Sequence, residues 1–483
     1  VSGGTTILGS TSAMGRFAEL GGPYTHRAGG IQAVGDIMGM PGRHMQLSAG
    51  IIGGGISGLA SAVRIAGLGH RVTLYESEDF LGGLGTTFPY QNGHLERFYH
   101  CILPHDTALI AMIRELGLES ELLWRRTRMG FMYQRKTYSL NTAMDLLKFG
   151  PLTFPERLRM GLMGLRARTG GLDPRLDGIT AEDWIRSMAG DRAFEILWKP
   201  LLSAKIGDQY GALPALWLSS RMNREKNTGP ETKGCLQRGY RSLIQAFENH
   251  LASRGVELRM RTRIGAVERE GDLMTLVLED GHRETHDYVV ATSPLVQFQK
   301  MTRNLSLPPR IADLKLDYQG VVSGVFITDE PLTDYYWMPF VDSGTTSQGA
   351  IEMSNLVPLE RSNGRYVNYL VNYTHRNSEL FQRSDAELLD GYRRDLELLY
   401  PRAAATIRDT FLFRAPFVEP IWSVNYSQVM PPTSVIPGRL YLACTAQVYP
   451  RVNSWNSCCE VVESMIPQLA SETSAPARGV AYA

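Results

Sequence analysis

The sequence predicts an α/β protein with two kinds of domain. One, a parallel sheet covered by helices, is assembled from separated pieces of chain, and a mixed α+β domain is built from the insertions between them. Three observations predict it. The apolar run Leu47 to Ile52 breaks into Gly53-x-Gly55-x-x-Gly58, and Ile56, Leu59, Ala60, Val63 and Ala66 then recur at helical spacing. Gly67-Leu68-Gly69 closes that helix and Arg71-Val-Thr-Leu-Tyr-Glu76 reads as a second buried strand, so residues 47–76 make one strand–turn–helix–strand unit of a parallel sheet. Far downstream, two stretches read as further pieces of the same sheet layer. Val256 to Glu279 alternates as hairpin strands around Glu270-Gly271-Asp272, and Tyr288 to Ala291 runs into Thr292-Ser-Pro294.

The intervening chain differs in character. Residues 105–230 read as mostly helical, with breaks at Gly150-Pro151 and Gly170-Gly171. Residues 315–375 read as strand-rich, through Val321, Val322, Val325 and Ile327 and then Tyr366 to Tyr373. Residues 378–400 read as a helix and 404–430 as strands again. This order predicts a discontinuous Rossmann-type domain from 46–103, 231–299 and 405–475. A second domain, a helical insertion plus an antiparallel sheet, is expected from 104–230 and 300–404. Val1 to Arg43 is rich in Gly, Ser, Thr and Ala without a sustained period, and lacks the charged start and apolar centre of a secretory signal. Residues 1–45 are therefore expected to be a leader or extension outside the core, and 476–483 a tail.

Size and charge narrow the function. A chain of 483 residues has room for two or three domains. Fifty Lys plus Arg against forty-nine Asp plus Glu leave +1, which offers no footprint for nucleic acid. The five cysteines, Cys101, Cys235, Cys444, Cys458 and Cys459, form no CxxC pair and no metal-ligand spacing. They read as buried thiols of a cytoplasmic protein, with no metal site. No apolar run approaches the roughly 18 residues of a membrane span. Phe154 to Arg168 instead sets apolar residues among Arg157, Arg159, Arg166 and Arg168, against one Glu156. Such a basic amphipathic helix can lie in a headgroup layer, so peripheral membrane contact is expected through 154–168.

The glycine turn carries its own chemistry. After a strand, it lets backbone approach a pyrophosphate, while the following helix points free N–H groups and its positive dipole end at that anion. Gly53 makes the turn, Gly55 permits the approach, Ile56 and Ser57 open the helix, and Gly58 lets helix pack on strand. Glu76, ending the second strand beside Ser77, is placed to accept from both ribose hydroxyls and to repel a 2′-phosphate.

Glu78-Asp-Phe-Leu-Gly82-Gly83-Leu84-Gly85 follows at once. Its paired glycines resemble the second fingerprint of glutathione-reductase-type FAD proteins, and among them the flavin amine oxidase superfamily. That superfamily includes monoamine oxidases, protoporphyrinogen oxidase, phytoene desaturases and, more distantly, UDP-galactopyranose mutase. Arg263-Ile264 resembles the strand whose backbone touches adenine, and Val290-Ala291-Thr292-Ser-Pro294 the crossover strand beside the cofactor. Gly438 to Cys444, Gln447-Val448-Tyr449-Pro450 and Asn453-Ser-Trp-Asn456 resemble the terminal segment that faces the flavin pyrimidine edge. The resemblance covers roughly residues 46–470. It implies FAD, bound non-covalently, since no cysteine matches a flavin attachment motif. Two departures stand out: Cys444-Thr445 where relatives have Gly and an acid, and Leu84 where many amine oxidases carry Arg.

With no second GxGxxG and no CxxC, neither an NAD(P)H domain nor a dithiol relay is expected. The flavin is expected to take a hydride from a small or lipophilic organic substrate and to pass electrons to oxygen or another acceptor. Tyr99 and His100 resemble the mutase segment in which a histidine lies over the flavin. Lys205, in Lys199-Pro-Leu-Leu-Ser-Ala-Lys205-Ile-Gly207, resembles a family segment near the substrate, where a desolvated lysine can hold a water or act as a base. Tyr336, Trp337, Tyr369, Tyr373 and Trp422 are candidates for a cavity lining, and Arg414 for a substrate anion or a carboxylate. The expected activity is that of an FAD-dependent oxidase, dehydrogenase or desaturase. A flavin-dependent isomerase of the mutase type, and a non-catalytic flavin-binding subunit, are the alternatives.

Overall fold

A computed structural model describes residues 46–224 and 231–474; the expected leader 1–45 and tail 476–483 lie outside the described residues. The centre is a six-stranded sheet in the order Ser434–Ile436, Leu440–Leu442, Tyr288–Ala291, Ser48–Ile52, Arg71–Tyr75, Glu257–Arg259. Its pairings are parallel except for the hairpin that brings in Ser434–Ile436. Strands buried on both faces read as continuous apolar runs, which is what Ala49 to Ile52 and Tyr288 to Ala291 are. The register is level: Ile52 lies opposite Tyr75 on one side and Ala291 on the other, and Ala291 lies opposite Leu442. Segments from both ends of the chain therefore finish at one edge.

The helix Ile56–Gly67 packs on this sheet because Gly58 has no side chain; a Cβ there would overlap the Gly53 carbonyl oxygen. The terminal helix Trp455–Ser474 and the helix Thr107–Glu115 lie against it. Arg64 ties the three together, bonding Glu115 and Glu463 at 2.7 Å each.

Several readings of the sequence are corrected, among them the placing of all of 405–475 in the Rossmann-type domain, since Ile407–Ile421 belongs to a different sheet. The hairpin of Val256 to Glu279 does not extend the parallel sheet. Only Glu257–Arg259 joins it; Ile264–Glu270, Leu273–Leu278 and Arg283–His286 form a separate antiparallel sheet laid across one face. His286 rests over Gly50, and the Tyr75 hydroxyl meets His286 Nε2 at 2.8 Å and donates to Glu284 at 2.5 Å. The 105–230 insertion also holds strands: Leu122–Thr127, Gly130–Tyr133 and Lys136–Ser139. Leu122–Thr127 pairs with the remote Glu231–Leu236, while Gly130–Tyr133 and Lys136–Ser139 form a local hairpin whose turn, Gln134-Arg135, lacks the glycine that would announce it.

The second large sheet runs Ile407–Ile421, Asp317–Thr328, Tyr366–His375, Gly349–Glu352, Trp337–Val341, Gly130–Tyr133, Lys136–Ser139. One face packs Phe88, Leu95, Val325 and Tyr369; the other is covered by the helix Asp385–Leu399. The helix expected over 378–400 is two, Glu379–Gln382 and Asp385–Leu399, because Ser384 caps a new start in a capping box with Glu387. Among the described residues no helix is long and apolar enough to cross a membrane.

Candidate functional site

The glycine turn, the acidic strand end, the paired glycines and the crossover strand converge at the carboxyl edge of the six-stranded sheet. Gly53 donates to Tyr75 O at 2.8 Å and Gly54 to Glu76 Oε2 at 2.7 Å. The other carboxylate oxygen of Glu76 accepts from Glu78 N at 2.9 Å and Ser77 Oγ at 3.1 Å. Gly82 donates to Gly54 O at 2.9 Å, and both Gly82 (φ +106°) and Gly83 (φ +54°) hold left-handed backbone that a side chain disfavours. Gly83 faces Gly55 so closely that a Cβ on it would lie 3.2 Å from the Gly55 Cα. The helix Ile56–Gly67 starts on Gly55 with no side-chain cap and no acid in its first turn. Its leading N–H groups and dipole present a positive end to the crevice. Thr292 braces the turn, its hydroxyl donating to Ile52 O at 2.9 Å. Ser293 Oγ beside it is buried and has no partner among the described residues. Ile264 and Ala291 are buried and Leu84 half-buried nearby in sequence to these elements.

In the terminal segment the side chains are engaged by protein. Gln447 accepts from Cys444 N at 2.8 Å and donates to Leu442 O at 2.8 Å and Pro432 O at 3.0 Å. Asn456 accepts from Leu109 N at 3.1 Å and donates to Glu460 at 2.9 Å. Tyr449 donates to Asp177 and packs against Tyr426 and Trp422, while Val448 is fully buried. Expected as cofactor contacts, Gln447, Tyr449 and Asn456 thus brace the segment, and much of its backbone is taken as well: Gln447 N donates to Cys444 O at 3.1 Å and Ala446 O accepts from the Tyr426 hydroxyl at 2.9 Å. The Cys444 thiol, buried, is pushed up to about 12, and that of Cys458 up to about 11. Both stay protonated near neutral pH and are poor nucleophiles.

The expected catalytic residues separate into two groups. Tyr99 and Tyr373 share a hydroxyl–hydroxyl hydrogen bond of 2.8 Å. Lys205 Nζ lies 4.1 Å from the Tyr373 ring centroid and 3.0 Å from Glu419 Oε2. Burial raises both phenols, Tyr373 to about 12. Tyr99 and Lys205 are thus joined through Tyr373. His100 is not part of this cluster: its Nδ1 meets Phe98 O at 2.8 Å and its ring packs against Tyr240 and Trp455. Burial lowers its pKa and keeps it neutral. Trp455 in turn packs flat against the bare Cα of Gly85.

Sequence reasoning missed Glu419 and Gln319, cross-strand neighbours that are both buried, with Glu419 Oε1 and Gln319 Nε2 lacking partners among the described residues. A signal was present: a carboxylate inside the apolar run Phe417-Val-Glu419-Pro-Ile421 requires a cationic partner. Arg97, in the segment Leu95 to His100 that the sequence places after the Gly83 turn, is half-buried over Phe80 at 4.5 Å with its Nε unpartnered among the described residues.

A cavity of about 460 Å³ opens between the helix Lys199–Ile206 and the end of the second sheet, lined by Leu201, Ile206, Gln319, Phe340, Tyr373 and His375. Of the residues expected to line such a cavity, Tyr373 does. Tyr336, Tyr369 and Trp422 are buried core, with Tyr369 donating to Glu96 O at 2.7 Å. Trp337, half-buried, packs across Gly349. Arg414 stands opposite Val322 on the helix-covered face, bonding Asp385, Phe381 O at 3.1 Å and Arg383 O at 2.6 Å. It is a brace between strand and helix, not a substrate clamp.

The family model for flavin containing amine oxidoreductases matches residues 56–434. A 15-cis-phytoene desaturase of Solanum lycopersicum is 26% identical over 272 residues, 52% of this chain and 46% of the relative. One of Capsicum annuum is 24% identical over 392 residues, 73% of this chain and 64% of the relative. The matches thus span between about half and two-thirds of the length of these curated relatives. Among solved structures, a reduced UDP-galactopyranose mutase superposes with a TM-score of 0.70 at 19% identity, covering 89% of this chain and 95% of that one, a likeness of fold.

Proposed function

The chain belongs to the flavin-containing amine oxidoreductase family, and from that premise we propose that it binds one FAD non-covalently and acts as an oxidase, dehydrogenase or desaturase on a small or lipophilic organic substrate. The observation that carries this reading is the meeting of the Gly53–Gly58 turn, an uncapped helix start, Glu76 and the Gly82-Gly83 pair at one edge of a parallel sheet. Ligands of open α/β sheets bind at such a carboxyl edge, where the strand order reverses about the first strand.

The residues present fit FAD. The crevice between Gly55 and Gly83 would be filled by a side chain on either, and backbone N–H groups of Ile56, Ser57 and Gly58 supply what a pyrophosphate needs. Glu76, fixed by Gly54 N, suits ribose hydroxyls. The orphaned Ser293 hydroxyl beside Thr292 offers one further polar contact. Half-buried Leu84 supplies apolar wall, while buried Ile264 and Ala291 and the segment Cys444 to Tyr449 back the crevice from behind. With the two thiols protonated, the association is non-covalent.

When bound, FAD supplies the hydride acceptor, with oxygen or another species re-oxidising it. This chain's own residues orient the substrate. Tyr373 lines the cavity and bonds Tyr99, while Lys205, held by Glu419, keeps a positive charge over the Tyr373 ring. Burial keeps both phenols protonated near neutral pH, so the pair can donate a hydrogen bond to a polar group of the substrate and does not act as a base. On this reading residues 46–103, 231–299 and 422–474 hold the cofactor and 104–224 and 300–421 hold the substrate, because Ile407–Ile421, expected with the cofactor pieces, is a strand of the second sheet. The visible spectrum of the purified protein tests it. A two-band flavin spectrum with FAD released on denaturation is expected; a colourless protein that refuses FAD would overturn it.

A further inference from the structure

We propose that the helix Phe154–Thr169 is a docking ridge for the headgroup layer of an anionic lipid bilayer. The proposal is independent of the reaction the protein performs. Phe154, Leu158, Leu162 and Leu165 are each between 47% and 63% exposed, although each carries enough apolar surface to be drawn into a core. At about 100° per residue the four fall within an arc of about 80° on the helix surface. The face packed on the protein, Met160, Met163 and Ala167, points the opposite way. The exposed stripe therefore plays no part in the helix's own packing, and it is continuous rather than scattered.

Its surroundings extend the patch and give it a charge. Leu146, from the neighbouring helix Ala143–Leu147, approaches the ridge at Gly161, and Met144 of that helix is 57% exposed. Leu172, just past the helix, is also exposed. Arg159 and Arg166 are exposed on one flank of the stripe, and Lys148 is exposed near its base. The acid of this helix, Glu156, is occupied at the helix start by Thr153 N and Oγ1, both 2.7 Å away. A chain with a net charge of only +1 thus gathers cations beside this exposed apolar stripe. Apolar side chains that enter the acyl boundary, flanked by arginines long enough to reach phosphates, suit an interfacial helix. A protein partner would instead need a groove shaped to a convex single helix and acidic along one rim.

Flotation with vesicles tests the proposal. The full chain is mixed with phosphatidylcholine vesicles, alone or with about a third phosphatidylglycerol to supply the negative surface. Binding to the anionic vesicles at low salt is expected, with much weaker binding to phosphatidylcholine alone. Leu158→Ser with Leu162→Ser should lower the partition at least about tenfold. Arg159→Gln with Arg166→Gln should remove most of the preference for the anionic lipid. These side chains are exposed, and unchanged melting temperatures would show that both variants fold. Failure of the wild-type chain to float, or floating unaffected by the leucine pair, would overturn the proposal. So would a dimer in solution that the leucine pair splits without any lipid binding, since a second copy would then cover the ridge.

Discussion

Lys205 and Glu419 form an ion pair 3.0 Å long in which the carboxylate is almost wholly buried and the ammonium rests on the face of Tyr373. One partner comes from the helical insertion and the other from the longest strand of the second sheet. Removing one member of such a pair leaves an uncompensated buried charge. Lys205→Met should therefore cost about 3 kcal/mol of stability. The double variant Lys205→Met/Glu419→Leu should recover most of that loss. Thermal melts of the wild type, Lys205→Met and the double variant check it; a single variant no worse than the double would refute the pairing.

Tyr373 and His100 should differ in their effect on turnover. Tyr373→Phe removes the hydrogen bond to Tyr99 and should slow flavin reduction by about tenfold to a hundredfold, in the range of a lost buried hydrogen bond. His100→Gln, which alters a neutral packing group, should leave the pH profile of flavin reduction in place. Stopped-flow reduction over a pH series separates the two, and a profile reshaped by His100→Gln would return that residue to the chemistry.

Cofactor retention should follow the crevice. Gly83→Val places a side chain against the Gly55 Cα in left-handed backbone, and the purified variant should carry little flavin while keeping its circular dichroism. Glu76→Ala removes a charged acceptor and should weaken FAD binding by about tenfold to a hundredfold in a fluorescence titration, the size of one or two charge-assisted hydrogen bonds. Full affinity in Glu76→Ala would show that the ribose is held elsewhere.

Stability should carry a pH signature from Glu352. This carboxyl sits buried in the strand Gly349–Glu352, accepts from Leu332 N at 2.8 Å, and is raised by burial to about 7. Its folded pKa lies above its unfolded value, so the protonated form is favoured by folding. That contribution is fully present below the unfolded pKa near 4.5 and is lost as pH rises through about 7. Glu352→Gln should therefore stabilise the protein above pH 7, by up to about 3 kcal/mol at 1.36 kcal/mol per unit, and change little in acid. Equal melting shifts at all pH values would show that Glu352 stays ionised.

The parts of the fold legible in the sequence are those whose signal is local. Gly53 to Glu76 announces itself because strand, turn, helix and acid follow one another, and Gly82-Gly83 adds the turn beside them. The strand Leu122–Thr127 is not legible, because its partner Glu231–Leu236 is remote in sequence, and the hairpin of Gly130–Tyr133 with Lys136–Ser139 turns at Gln134-Arg135 without a glycine to mark it. The roles of Gln447 and Asn456 were hidden for the same reason. Their amides are taken by groups such as Pro432 O and Leu109 N, brought near only by the finished fold. His100 and Tyr99 are neighbours in sequence, yet one packs against Trp455 and the other bonds Tyr373. Only the tertiary structure parts them.

Three of the parallel sheet's inner strands are Ser48–Ile52, Tyr288–Ala291 and Leu440–Leu442. During synthesis the first of these leaves the ribosome long before the last. Until then Tyr288–Ala291 is a bare apolar edge, with open N–H and carbonyl groups of the kind that recruit foreign strands. The nascent chain therefore has a vulnerable interval, and a ribosome stalled before Leu440 would release an aggregation-prone product rather than a weakened enzyme. Chaperone demand should fall on this protein late in translation, when most of its mass is already made.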